Sequence, residues 1–155
     1  MHNEGSESMT EFEKKQSGQI YDARDPQLRK QQNRAKNLMR KYNDLPAEAI
    51  PKRNRFLEEL LGYFGRNVHV NQPLYVDYGY NIFLGENSFI NMHCTLLDTG
   101  LIQIGENTLV GPDVKIYTAF HAVDGADRFW MDADGTAAVK TRTAPVKIGS
   151  FTWIA

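Results

Sequence analysis

Branched apolar side chains recur six residues apart in this chain: Leu84, Ile90 and Leu96, then Ile104, Val110 and Ile116, then Ile148 and Ile154. An amphipathic helix repeats every ~3.6 residues and a half-buried strand every ~2, so neither produces that period. Within several hexads a compact side chain follows four places later: Ser88, Cys94, Thr108 and Thr152. Hexad periodicity of this kind predicts a parallel β-helix. Three hexads close one triangular coil, and each short flat strand stacks about 4.8 Å above its equivalent in the coil below. The expected fold class is therefore mainly β, with a core that is a stack of aliphatic rungs rather than a globule.

The 155 residues suffice for one domain, and 41% hydrophobic with 24% charged is a globular composition. Eighteen basic against 19 acidic residues give a net charge of −1, which favours neither nucleic acid nor an anionic membrane. The opening MHNEGSESMTEFEKKQ has no apolar run of signal-peptide length, and no run anywhere is long enough to span a bilayer, so the expected location is cytoplasmic. The single cysteine, Cys94, has no partner for an internal disulfide and falls on a hexad position, as a packed core thiol would.

Residues 1–17 carry no pattern and are expected to be a flexible tail. Residues 18–66 read as helical. Asp25-Pro26 supplies an N-cap and a proline at the first helical position, and Leu28, Ala35, Leu38, Met39 and Tyr42 share one face of a helix ending near Asn43. A second helix starts around Pro51 and carries Phe56, Leu57, Leu60, Leu61 and Phe64 before Gly65. The lysines and arginines dense between Arg24 and Arg55 read as the solvated outer face of these helices. Residues 67–155 form the β-helix, incomplete at its end. Leu96 to Ile104 is eight residues, so one corner is enlarged; Ile116 to Ile148 is 32, so a long loop at 118–145 leaves the stack. A loop of that length in a regular solenoid points to function, and its apolar cluster Phe129, Trp130 and Met131 reads as a lid or a subunit contact.

The chain has no phosphate-cradling glycine loop, dinucleotide fingerprint, paired-cysteine zinc spacing or nucleophile elbow. Its four histidines, His2, His69, His93 and His121, are too scattered for a local metal motif. His121 stands out because it lies where the hexads stop and the long loop departs.

The stretch from Asp77 to Asn87 (DYGYNIFLGEN), then Asn91, Leu96-Leu97-Asp98, Ile104-Gly105-Glu106-Asn107 and Ile116-Tyr117-Thr118-Ala119-x-His121 resembles the maltose and galactoside O-acetyltransferases of the hexapeptide-repeat superfamily. The likeness extends to the helical start at Ser17-Gly18-Gln19-Ile20-Tyr21-Asp22. It implies a left-handed parallel β-helix, a homotrimer with active sites between subunits, acetyl-CoA as donor and a sugar or glycoside hydroxyl as acceptor, with no metal. By the same resemblance His121 is the general base for direct transfer without an acyl-enzyme, and Asn91 faces it across the cleft. Imidazole as a type titrates near neutrality, which suits deprotonation of an alcohol beside an already activated thioester.

The resemblance assigns Asp98, Tyr78 and Asp22 to the acceptor, residues 18–66 to the acceptor side, and Trp153 to the thioester end of the cofactor. Galactoside enzymes carry a second acid after the position of Asp98; Thr99 stands there in this chain, which inclines the match towards the maltose type. Members of the family continue beyond the Trp-Ile-Gly step, whereas the sequence stops at Ile154-Ala155 and reads as truncated there. Two other readings compete: a non-catalytic β-helical trimer or pseudoenzyme lacking the acetyl-CoA-binding coils, and a metal-dependent hydratase on the same scaffold. The 28-residue separation of His93 from His121 disfavours the hydratase.

Overall fold

The computed structural model describes residues 8–155. Helix α1 (Glu11–Gln16) opens on a capping box, in which the Glu13 N–H donates to the Thr10 hydroxyl and the Thr10 N–H donates to the Glu13 carboxylate. The flexible tail expected over residues 1–17 is thus corrected from Glu11 onward, because α1 is capped and its Lys15 is fully buried. The remainder of that expectation, residues 1–7, lies outside the described residues. Strand β1 (Tyr21–Asp22) leads into α2 (Pro26–Asn43) and α3 (Ile50–Leu60). The Asp25 carboxylate accepts from the Leu28 N–H at 3.0 Å, so the cap read from the sequence forms. Ala35, Leu38 and Tyr42 of α2 and Leu57 and Leu60 of α3 are buried in one cluster with Val70, Leu74 and Val76 of the first coil.

That first coil consists of β2 (Tyr63–Phe64), β3 (His69–Val70) and β4 (Leu74–Val76). The second is β5 (Ile82–Leu84), β6 (Phe89–Ile90) and β7 (Cys94–Leu97), and the third is β8 (Ile102–Ile104), β9 (Leu109–Val110) and β10 (Lys115–Tyr117). The chain then leaves the stack through β11 (Ala119–Phe120), β12 (Phe129–Met131) and β13 (Ala137–Thr143), and returns as β14 (Val146–Ile148) and β15 (Trp153–Ile154). All stacked pairs are parallel, in three columns: β2-β5-β8-β14, β3-β6-β9-β15 and β4-β7-β10. The register joins Phe64, Leu84, Ile104 and Ile148 as one rung set, Val70, Ile90, Val110 and Ile154 as the second, and Val76, Leu96 and Ile116 as the third. The period-six aliphatics are therefore the internal ladder. Phe64, Val70 and Val76 extend it one coil upstream, so the first strand begins at Tyr63, before the expected boundary at residue 67.

The 118–145 excursion is a small antiparallel sheet rather than an irregular loop. Strand β13 is its centre, pairing with β11, with β12 and with β1 of the N-terminal segment. Strand β13 buries Ala138 on one face and Thr141 and Thr143 on the other, and a turn at Gly135 (φ 82°) connects β12 to it. Among the described residues no helix is long and apolar enough to cross a membrane.

Candidate functional site

His121 follows β11 directly and is exposed. Its Nδ1 lies 3.1 Å from the main-chain carbonyl oxygen of Lys140, in β13. A carbonyl only accepts, so this bond requires the proton on Nδ1, and in the neutral ring the lone pair is then on Nε2. The ring is held by backbone geometry: Phe120 pairs with Arg142 on one edge of β13, and Asp22 pairs with Lys140 itself on the other. A hollow of about 310 Å³ adjoins these strands, lined by Ile20, Phe120, Ala122, Asp127, Lys140 and Arg142.

Asn91 closes β6 and is half-buried at the corner before β7. Its Oδ1 accepts from the Asn71 side-chain amide at 3.2 Å and from the Met92 N–H at 2.8 Å. Both acceptor directions are used, so the Asn91 Nδ2 remains available as a donor. Asn71 occupies the same corner one coil below, and the parallel register of β3 on β6 stacks the two amides. His93 sits at the same corner with a left-handed backbone (φ 62°), its N–H donating to the Pro73 carbonyl, as a turn residue. His69 stacks against Phe89 on the outer face of its column.

Asp98 and Tyr78, expected at the acceptor, are both buried in the single chain. Asp98 Oδ1 accepts from the N–H groups of Asp77 and Tyr78, at 3.0 and 2.9 Å, and Oδ2 from that of Asn81 at 3.2 Å. It caps the enlarged corner of one coil onto that of the next. Burial raises its carboxyl to about 6, against the opposing pull of those backbone donors. Tyr78 lies beneath the ammonium of Lys15, 4.3 Å from ring centre to nitrogen. Thr99, at the position of the second acid, is also buried and donates its hydroxyl to Asp77 at 2.9 Å.

Asp22 is half-buried beside β13 and grips Arg24, whose guanidinium also reaches Asp132 in the turn after β12. Arg24 holds the Asp22 carboxyl below the ordinary carboxylate range, so this group is anionic and already partnered. Trp153 is 76% exposed on β15, stacked on Leu109 in the outer row of its column. Among the described residues no group of three or more His, Cys, Asp or Glu side chains is placed to hold a metal.

His121 and Asn91 are not joined within the chain. Asn91 lies on the prism edge between the β6 and β7 columns, and His121 leaves from the edge that follows β10. Two supporting groups escaped the sequence reading. Asn71 had a signal, its 20-residue spacing from Asn91, which equals one coil. The Lys140 carbonyl had none, since a main-chain oxygen leaves no mark on residue type.

Comparison with known proteins bears on the same residues. The maltose acetyltransferase hexapeptide capping motif (Mac) matches residues 14–65, the segment from α1 through α3 to the first coil. Nodulation protein L of Rhizobium meliloti is 33% identical over 145 residues, covering 94% of this chain and 75% of its own length. A maltose O-acetyltransferase from Clostridium difficile superposes with a TM-score of 0.85 at 39% identity, over 95% of this chain and 74% of that one. A hexapeptide-repeat acetyltransferase of Vibrio cholerae, solved in complex with acetyl-CoA, superposes at 0.78 with 30% identity, over 94% of this chain and 74% of that one. With its stacked parallel columns, its helical cap and these relatives, the chain belongs to the maltose and galactoside O-acetyltransferase family of left-handed β-helical, hexapeptide-repeat enzymes.

Proposed function

We propose that this protein transfers the acetyl group of acetyl-CoA directly to a hydroxyl of a sugar or glycoside, an acceptor of the maltose type, with His121 as general base. One observation carries the reading: the Nδ1 contact with the Lys140 carbonyl directs Nε2 of the neutral ring, as the basic nitrogen, away from the backbone on an exposed imidazole. Nε2 takes the proton of the acceptor hydroxyl as its oxygen attacks the thioester carbon. The tetrahedral oxyanion collapses with cleavage of the C–S bond, and the imidazolium returns the proton to the departing CoA thiolate. Asn91 offers its free Nδ2–H to the acceptor or the oxyanion.

The separation of Asn91 and His121 on two prism edges supports an assembly in which one copy supplies the imidazole and its neighbour the amide. The reading takes this assembly to be a homotrimer. Trp153, with its exposed indole, faces the donor in this scheme, and Asp22 borders the acceptor. The compartment proposed is the cytoplasm, where the buried thiol of Cys94 remains reduced.

The test is release of CoA thiol from acetyl-CoA in the presence of a panel of mono- and disaccharides. Turnover with a sugar, reduced roughly 10²–10⁴-fold by His121→Ala, is the expected result. Turnover untouched by that substitution would remove the histidine from the chemistry, and absence of turnover with every hydroxyl acceptor would remove the activity.

A further inference from the structure

Lys15 is fully buried, lies outside the aliphatic ladder and takes no part in the scheme above. Its ammonium donates to the Thr99 carbonyl at 2.8 Å and is faced by the rings of Tyr78, Tyr80 and Phe12, at 4.3, 5.3 and 5.9 Å. Burial lowers its pKa to about 8, opposed by the nearby charges of Asp98 and Asp77, so it is a cation at neutral pH. A buried cation of this kind is costly unless its surroundings are arranged around it.

Two lines of hydrogen bonds run from this residue to the strands that carry His121, one from its main-chain carbonyl and one from its ammonium. The main-chain carbonyl of Lys15 accepts from the Thr143 hydroxyl at 2.7 Å, and Thr143 pairs with Ala119 in the β11–β13 ladder. Thr99, gripped by the ammonium, precedes Gly100, whose N–H donates to the Thr118 hydroxyl at 2.8 Å, one residue ahead of β11. Where the chain turns from α1 towards β1, Gly18 (φ 74°) passes so close that a Cβ there would lie 3.0 Å from the Thr143 carbonyl oxygen. From Thr143, β13 runs back three residues to the Lys140 carbonyl that orients the imidazole.

We propose that Lys15 is a positioning residue for His121: by anchoring α1 against the Thr99 corner and Thr143, it holds β11 and β13 in the register that fixes the Nδ1–H tautomer of the ring. The proposal rests on the reading of His121 as the base only for its catalytic consequence; the tautomer itself is observable without turnover.

Lys15→Met keeps the volume and removes the charge, and Thr143→Val removes only the hydroxyl. Leu38→Ala, in the α2 face of the core, is the control that lowers stability without touching either line of bonds. Long-range ¹H–¹⁵N spectra of ¹⁵N-histidine protein read the tautomer of His121, assigned by its loss in His121→Ala. The expected result is a single Nδ1–H form in the parent and in Leu38→Ala, and a mixture in Lys15→Met and Thr143→Val. With acetyl-CoA and an accepted sugar, kcat falls about tenfold in both variants while KM for acetyl-CoA stays within about twofold. An unchanged single tautomer in folded Lys15→Met would overturn the proposal, as it would in Thr118→Val, which breaks the line that begins at the ammonium and decides if Lys15→Met does not fold. A protein without transferase activity whose tautomer still mixes in the two variants would keep Lys15 in this role and discard the catalytic reading.

Discussion

At the scale of single residues, the site depends on which lone pairs and protons are already committed. Asn91 is directed by the Asn71 amide together with the Met92 N–H, the two donors that occupy its Oδ1 and so decide which way the amide faces. Asn71→Ala leaves only the Met92 N–H to hold that amide; a fall in kcat of roughly three- to tenfold is expected, with Tm nearly unchanged, since one exchanged hydrogen bond is worth about 1 kcal/mol. Steady-state kinetics beside thermal melts check it. Asp98 supplies a pH signature. Its carboxyl is raised from 3.8 to about 6 by burial, so the native corner binds the proton more tightly than the unfolded chain does. Its contribution to stability is then complete below pH about 4 and is lost as pH rises through about 6, amounting to about 2–3 kcal/mol. Lys15, the cation facing it, stays charged across that window. Urea midpoints measured from pH 4 to 7 should show this fall in the parent and lack it in Asp98→Asn.

At the scale of the element, the coils approach each other too closely at their corners for any side chain to intervene. A Cβ built on Gly85 would lie 2.4 Å from the Glu106 nitrogen and 2.6 Å from the Gly105 carbonyl carbon, both main chain. Rigid backbone on both sides leaves no relaxation short of separating two coils. Gly85→Ala is expected to cost about 2–4 kcal/mol or to abolish soluble expression, whereas Gly125→Ala, with nothing within 4 Å, should leave the melting temperature within a degree or two. The neighbouring corner residues Asn67, Asn87 and Asn107 adopt left-handed φ of 57°, 58° and 53°, which asparagine tolerates better than most residues. Helix α1 matters at this scale too: through β1 and Thr143 it borders the same β13 that holds His121.

At the scale of the whole molecule, a prism that carries the two proposed site residues, His121 and Asn91, on different edges makes a specific claim about assembly. If each site takes His121 from one copy and Asn91 from the next, His121→Ala and Asn91→Ala subunits are each inactive alone. Refolded together in equal amounts, they should regain about a quarter of the parental activity, the chance that a neighbouring pair supplies both intact groups. Thiol release from the mixture measures this, and no recovery in assemblies shown to be mixed would place both groups in one subunit.

The aliphatic ladder was legible in the residues alone, because a six-residue period is incompatible with other secondary structures and a stack must repeat its rungs. The helix capped by Asp25 and Pro26 was equally legible, its cap being a local side-chain to main-chain bond. The motif ending at His121 was readable for the same reason: both the hexads and the break that follows them are written in consecutive residues. What depended on tertiary structure was the fate of polar groups whose partners are distant in the chain. Asp98 is a corner cap because three N–H groups of the previous coil converge on it, Lys15 is buried because an aromatic cage and Thr99 enclose it, and the His121 ring is oriented by a carbonyl 19 residues away. Apolar periodicity records what a residue must avoid, and that is a property of the sequence itself. A hydrogen bond or a buried charge is settled by whichever partner the folded chain brings within 3 Å or so.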